Sequence, residues 1–191
     1  MSPLLKYLLE GGGVIAAARG LWYVYTWWIA RRDAQQGRRA IEGRGEIATT
    51  LEELIDRTPA DYAHIIRIHN GGGDLEAGLP VFMTCIQEEH RPGFPPLKNE
   101  VAGIELDKYS RKMVARLIDE KDAAYPVAEL KDELLQAVFT AMQAKYARAI
   151  ILRVGKRGIF FLRTTSSREA LDDQQFQLCY RKAVSQLRKH Y

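Results

Sequence analysis

The sequence contains only two cysteines, Cys85 and Cys179, and they lie too far apart to form a metal-binding motif. We therefore expect two free, buried thiols rather than a disulfide framework. The Ser-His-Asp order, HExxH, CxxC, paired carboxylates and a phosphate-binding Gly-Lys-Ser/Thr loop are also missing. The sequence accordingly predicts a protein that is not an enzyme, with no catalytic residues, no metal site and no cofactor.

Excess charge of one sign is small, because 28 Lys and Arg residues face 24 Asp and Glu residues. Much of the surplus lies in residues 31–45, where five arginines face Asp33 and Glu42. A basic stretch beside an apolar one favours anionic lipid over nucleic acid, although a solvated helix face is an alternative. Since the basic residues lack interleaved aromatics outside the apolar segment, we expect no nucleic-acid binding.

Long apolar runs are also missing, except over residues 11–30, where Arg19 is the only charge. About 20 apolar residues span a bilayer as a helix, and aromatic rings followed by arginines are typical of its cytoplasmic boundary. The boundary residues are Trp22, Tyr23, Tyr25, Trp27, Trp28, Arg31 and Arg32. This order predicts a single-pass helix in the inner membrane, with the C-terminal domain in the cytoplasm.

Three features oppose a plain spanning helix: the glycines at 11–13, Arg19 near mid-bilayer, and the charges Lys6 and Glu10. One alternative is a broken pair of helices in which residues 3–10 lie on the membrane surface. Another is a helix that packs on a partner protein. A cleaved signal peptide fits poorly, because the positive charges follow the apolar run.

Segments of helical and strand character alternate over the remainder of the chain. The predicted helices cover residues 46–57, 107–120 and 132–146, and a last one begins at Asp172 or Asp173. The predicted strands cover 62–68, 79–87, 149–154 and 159–164, with short extended pieces at 101–106 and 127–130. Glycine-rich turns at 71–73 and 155–158 predict that the strands form two hairpins.

This order of elements resembles a GAF domain, the sensor fold related to PAS. The similarity is best over residues 144–187, and the stretch RIHNGGG at 67–73 is similar to the first hairpin of the family. The resemblance implies an α/β (α+β) fold, with a five- or six-stranded antiparallel sheet, helices on one face and a ligand pocket on the other. The predicted division is a membrane-anchor segment (1–30), a basic connector helix (31–45) and a GAF-like domain (46–191).

GAF domains bind cyclic nucleotides, tetrapyrroles, haem or small metabolites, or bind nothing and dimerise. The cyclic-nucleotide signature and the phytochrome-type Cys-His chromophore site of that family are absent here. The resemblance therefore implies a membrane-anchored, non-enzymatic sensor or regulatory module. Its expected partners are the lipid bilayer, a second copy or a partner protein, and a small ligand. The alternative is an assembly protein of an envelope complex or phage virion, in which the domain docks or oligomerises.

Polar residues at the ends of the first two predicted strands are the candidate ligand-binding residues. They are His69 and Asn70 after the first strand and Glu88 and His90 after the second. Imidazole and carboxylate groups that converge at one sheet edge can bind a ligand or a divalent metal. Solvated strand ends are the simpler alternative.

Overall fold

The computed structural model of the chain describes residues 12–71, 75, 78–131, 133–156, 158–168 and 170–191. The chain divides into two compact units, Met1–Arg44 and Gly45–Tyr191. Helix α1 spans Gly12–Arg57, and neither Gly43 nor Gly45 interrupts it. The division into anchor, connector and domain at residues 30 and 45 stays a prediction.

Aromatic side chains of the N-terminal unit are exposed on α1. Each of the following keeps more than half of its surface open to solvent: Trp22, Tyr23, Tyr25, Trp27 and Trp28. The guanidinium of Arg31 lies 5.2 Å from the ring centroid of Trp27. The guanidinium of Arg32 lies 5.3 Å from the ring centroid of Trp28. In both pairs the arginine and the tryptophan are one helical turn apart.

The prediction of a membrane-spanning helix over residues 11–30 is wrong. Among the residues that the structure describes, no helix includes a stretch long and apolar enough to cross a bilayer. Tryptophan and tyrosine carry polar N–H and O–H groups, so they add less hydropathy than aliphatic residues, and Arg19 lowers it further. The predicted inner-membrane location is overturned by the same finding. The surface helix expected at residues 3–10 lies outside the described residues.

Strands and helices alternate along the second unit. Its strands are β1 (Tyr62–His69), β2 (Phe82–His90), β3 (Ile104–Glu105), β4 (Asp122–Pro126), β5 (Tyr146–Gly155) and β6 (Gly158–Ser166). The further helical segments are α2 (Lys108–Glu120), a 3₁₀ turn (Val127–Glu129), α3 (Glu133–Ala141) and α4 (Gln174–Leu187). The predicted helices and long strands are thus confirmed with ends that shift by a few residues, except that the helix predicted over residues 46–57 is the end of α1, which begins at Gly12.

All neighbouring strands are antiparallel, and they form one sheet in the order β3-β2-β1-β6-β5-β4. The predicted hairpins β1–β2 and β5–β6 are confirmed, and the pairing of β1 with β6 joins them. Residues 72 and 73 of the predicted glycine turn lie outside the described residues. The domain is therefore a mixed α+β fold around an antiparallel sheet, as expected.

Helices cover both faces of this sheet, whereas the resemblance implied helices on one face only. On one side, α1 and α4 pack through residues such as Leu51 and Phe176. On the other, α2 and α3 pack through residues such as Leu117 and Phe139, and we call this side the α2/α3 face. Because β1 and β6 are buried on both sides, neither shows the alternation of apolar and polar residues typical of a half-exposed strand.

Three stretches differ in kind from the prediction. Residues 122–126 (DAAYP) form β4, although they lack the β-branched residues that mark a strand. Residues 127–130 are not extended, because Val127–Glu129 forms a 3₁₀ turn. Helix α3 ends at Ala141 rather than at Tyr146, because Tyr146 already pairs with Ser166 in the sheet.

Replacing Gly158 by alanine should destabilise the domain by about 2–4 kcal/mol. Gly158 has a φ of +145°, and a Cβ there would lie 2.6 Å from the backbone oxygen of Ile68. Gly155 in the same hairpin is the matched control, since its added Cβ would meet nothing closer than Arg153 Nε at 3.6 Å. Urea unfolding of both variants measures the difference, and equal midpoints would contradict this account of the turn.

Candidate functional site

A cavity of about 290 Å³ lies on the α2/α3 face, between α2, β4 and α3. Its floor includes Ala149 and Phe161 of the sheet. Its apolar walls come from Met113, Leu117, Tyr125, Leu130 and Leu135. A concave, mostly apolar site with a few polar groups is typical of small-molecule binding.

The exposed charged residues that line the cavity carry a net positive charge. Lys112, Arg116 and Lys131 line it together with the carboxylate of Glu129, and Arg116 is paired with Glu120 at 2.7 Å, so the surplus among these described residues is one positive charge. Such a balance favours negatively charged ligands over positively charged ones during approach.

Both ends of α2 are fixed by capping, which holds one wall of the cavity in place. The Asp107 carboxylate accepts hydrogen bonds from the backbone N–H groups of Tyr109 at 2.9 Å and Ser110 at 2.7 Å. At the other end, Lys121 adopts a left-handed φ of 65°, and its N–H donates to the Leu117 carbonyl at 2.8 Å. Asp107 is therefore the N-cap of the helix that the sequence predicts over residues 107–120.

A row of polar side chains crosses the sheet beside the cavity. Glu88 of β2 pairs with His64 of β1, and His64 pairs in turn with Arg163 of β6. We call these three residues the polar row. His64 and Arg163 are 0% and 2% exposed, so the row lies in the core. Arg163 also pairs with Ala149 of β5, which places the end of the row at the floor of the cavity.

A β-bulge brings Cys85 next to this row. Residues three apart on a regular strand point to opposite faces, but the register between β1 and β2 skips Ile86. Cys85 and Glu88 therefore share the α2/α3 face. A ring nitrogen of His64, the thiol sulfur of Cys85 and a carboxylate oxygen of Glu88 lie within 4.8 Å of one another.

These three donors would suit zinc better than magnesium, since they combine imidazole, thiolate and carboxylate. The contacts instead describe a hydrogen-bond network. His64 Nε2 lies 3.0 Å from Glu88 Oε2, and the Leu97 N–H donates to both Glu88 oxygens at 2.9 and 3.2 Å. The adjacent guanidinium of Arg163 would also repel a cation. We therefore assign the cluster to the support of the core.

Burial determines much of the protonation behaviour of His64, Glu88 and Cys85. Burial lowers the pKa of His64 to about 4, and the positive charge of Arg163 acts in the same direction. Burial acts to raise the pKa of Glu88, but the hydrogen bonds from His64 and Leu97 outweigh it and lower that pKa overall. At neutral pH a neutral imidazole thus donates from Nε2 to an ionised carboxylate. Burial also raises the pKa of Cys85 to about 12, so its thiol stays protonated.

Within the part of the chain that the structure describes, Arg163 has two unsatisfied polar atoms, whereas His64 of the same row has one, its Nδ1. The Nε and Nη2 atoms of Arg163 are buried and have no hydrogen-bond partner among the described residues. Its guanidinium carbon lies 5.0 Å from the ring centroid of Phe139, which covers it with an apolar surface. Burial lowers the pKa of Arg163, yet a guanidinium stays charged at neutral pH. A buried charge without an anionic partner is costly, so this arginine requires an explanation.

The predicted ligand-binding residues do not converge. His69 pairs with Phe82 at one end of the β1–β2 hairpin, and Tyr62 pairs with His90 at the other. Asn70 follows His69 directly and therefore lies with it. Because antiparallel strands finish at opposite ends of a hairpin, the two groups of polar residues are separated by the length of the strands.

Each group has local contacts of its own. His69 Nε2 lies 2.9 Å from Thr84 Oγ1, and its Nδ1 accepts from the Gly71 N–H at 2.9 Å. At the far end, His90 Nδ1 lies 3.8 Å from Glu88 Oε1. A role of these residues in ligand binding stays a prediction.

Arg163 and the cavity are the features that sequence reasoning missed. Ile159, Phe161 and Arg163 alternate along β6 and therefore share one face of the strand. An arginine in the register of buried apolar residues is the signal that marks this position. The cavity walls carry no comparable signal, because they depend on how α2 and α3 pack over the sheet.

The fold is that of GAF domains. The phycocyanobilin-bound GAF domain from a cyanobacterial phytochrome matches with a TM-score of 0.54 at 17% identity, over 84% of this chain and 90% of that domain. A far-red cyanobacteriochrome photoreceptor matches with a TM-score of 0.58 at 13% identity, over 87% and 95%. The blue-light-absorbing form of the Thermosynechococcus elongatus PixJ GAF domain gives 0.53 at 9% identity, over 80% and 89%.

No family model matches the sequence, and no curated protein matches it significantly. At these low identities, the structural likeness establishes the fold and not the ligand. The GAF-like architecture expected from the sequence is thus confirmed for the domain.

We expect the free energy of unfolding to fall as the pH is lowered from about 6.5 to about 4. The folded pKa of His64 is below its unfolded value, so the unfolded state binds the proton first and acid favours unfolding. The full effect is roughly 3 kcal/mol. The lowered pKa of Glu88 adds a further loss below its ordinary value, near pH 4.5.

Urea titrations at several pH values test this prediction with the variant His64→Gln, which keeps an N–H donor for Glu88 but does not titrate. Its unfolding free energy should vary much less between pH 6.5 and 4. An unchanged slope in His64→Gln would refute the assignment.

Proposed function

We propose that this chain is a sensory module that binds a small organic molecule in the cavity of the α2/α3 face and catalyses no reaction on it. The observation that carries this proposal is the preformed apolar cavity of about 290 Å³ with positive charge among its exposed lining residues. The phytochrome GAF domain that shares the fold is described with phycocyanobilin bound, which supports ligand binding by this architecture.

The size of the cavity restricts the ligand. Its volume of about 290 Å³ lies just below the usual range of ligand pockets, which is about 300 to 1,000 Å³. A linear tetrapyrrole with four rings exceeds this space, and the chain lacks the Cys-His chromophore pattern of phytochromes. The proposed ligand is therefore a molecule of one or two rings, or an aliphatic molecule of similar size.

The chemistry around the cavity supports binding rather than catalysis. No histidine or cysteine is present among the described residues that line it. The nearby thiol of Cys85 is kept protonated by burial, and a thiol is a far weaker nucleophile than a thiolate. Self-association or a protein partner stays a prediction. Nothing in the described residues favours the assembly-protein alternative.

A chain of contacts leads from the cavity to the opposite face of the sheet. Asp122 opens the cavity-lining strand β4, and its carboxylate binds Arg148 through hydrogen bonds of 2.6 and 2.9 Å. Arg148 donates in turn to the Leu171 carbonyl at 3.1 Å, and its guanidinium lies 5.5 Å from the Tyr180 ring of α4. We propose this connection as the route by which occupancy of the cavity shifts α4.

Replacing Ala149 by leucine should abolish ligand binding while leaving the fold intact. The larger side chain projects from the cavity floor into existing space, so stability should stay the same or rise. Thermal shift and calorimetry with benzoate, phenylacetate, 1-naphthoate and their neutral amides measure binding. At least one probe should raise the melting temperature of the wild type and fail to do so for Ala149→Leu.

Ala102→Leu is the control for this experiment, because Ala102 is exposed and does not line the cavity. It should bind the probes as the wild type does. If the Ala149→Leu variant binds as tightly as the wild type, the cavity is not the ligand site.

A further inference from the structure

We propose that the ligand of this domain is a small organic carboxylate, and that its carboxylate group binds the guanidinium of Arg163. This inference rests on the proposed function, because it names the chemical class that the same cavity selects. It is carried by a buried positive charge that the described residues leave without an anion.

The only carboxylate in the polar row is already engaged. Glu88 accepts from the His64 ring at 3.0 Å and from the Leu97 N–H with both of its oxygens. His64 stands between Glu88 and Arg163 in the register of the sheet. The negative charge of Glu88 therefore acts on the positive charge of Arg163 only at a distance, with the neutral imidazole of His64 between them.

The two unpartnered atoms of Arg163 are the pair that a carboxylate recognises. Nε and Nη2 lie on the same edge of the guanidinium, where their N–H groups point in parallel. A single carboxylate accepts both hydrogen bonds at once, whereas a hydroxyl or an amide oxygen provides one acceptor atom. The Phe139 ring lies over the guanidinium at 5.0 Å and restricts approach to its edges.

Arg163 adjoins the cavity through several of its lining residues. Its cross-strand partner Ala149 and its same-face neighbour Phe161 both form the cavity floor. Tyr125 of the cavity wall meets the Phe139 ring edge to face, with centroids 6.5 Å apart. Arg163 itself is not among the described residues that line the cavity, and its Nε and Nη2 atoms are buried. A carboxylate attached to an apolar body in the cavity therefore reaches the guanidinium when side chains of the cavity floor shift.

The test compares matched carboxylate and amide probes on the wild type and on Arg163→Met. The probe pairs are benzoate with benzamide, phenylacetate with phenylacetamide, and 1-naphthoate with 1-naphthamide. We expect the wild type to bind a carboxylate at least tenfold more tightly than its amide. Arg163→Met should bind both members of a pair equally, and its ligand-free melting temperature should not fall, because it removes an uncompensated buried charge.

Arg148→Met is the matched control, since Arg148 is a largely buried arginine of the neighbouring strand that does have a carboxylate partner, Asp122 at 2.6 Å. This variant should lose melting temperature but keep the preference for carboxylates. Arg163→Lys is a second variant, which keeps a positive charge but not the paired N–H groups, and it should show a reduced preference.

Three results would overturn the inference. The first is a carboxylate preference that survives in Arg163→Met, and the second is an Arg163→Met variant as unstable as Arg148→Met, which would make Arg163 structural. The third is a wild type that binds acids and amides equally, in which case the cavity still binds ligands but Arg163 does not select them. If neither kind of probe binds, the proposed function fails together with this inference.

Discussion

Burial of the sheet on both faces is the constraint on which the rest of this structure depends. Helices α1 and α4 cover one face and α2 and α3 the other, so the central strands β1 and β6 have almost no contact with water. Two cores remove a large apolar area from solvent and stabilise the domain. The same burial removes water from every polar side chain on those strands, and each must find a partner inside the protein.

Within the polar row, buried polar side chains differ in how far their hydrogen-bonding groups are satisfied. Nε2 of His64 hydrogen-bonds to the Glu88 carboxylate, and the loop that contributes Leu97 supplies a second donor to Glu88. Arg163 has an aromatic ring against its face but no acceptor at Nε and Nη2 among the described residues. The hydrogen bond between His64 and Glu88 supports the core, although Nδ1 of His64 is likewise buried without a hydrogen-bond partner among the described residues. Arg163 combines a charge with two unsatisfied nitrogen atoms and pairs with Ala149 of the cavity floor, and the proposal of a carboxylate ligand is based on this combination.

Parts of the fold that local chemistry determines could be predicted from the sequence. The last hairpin is visible because Gly155 and Gly158 interrupt two β-rich runs, and α2 is visible because Asp107 precedes an amphipathic stretch. Strand β4 escaped prediction because residues 122–126 are a strand only through their pairing with β5. The membrane helix was wrong because tryptophan and tyrosine match an aromatic boundary pattern without supplying aliphatic hydropathy.

The candidate site was harder to predict, because pairing between strands determines which side chains meet. His69 and His90 both end strands, yet antiparallel pairing sends those ends apart. Polar groups at strand ends can be hydrated, so they need no hydrogen-bond partner inside the protein. Arg163 occupies a position where Ile159 and Phe161 set an apolar register, and a charge there cannot remain hydrated once both faces are covered. In a sheet enclosed on two sides, a charge that breaks the buried register is therefore the more informative signal of a site.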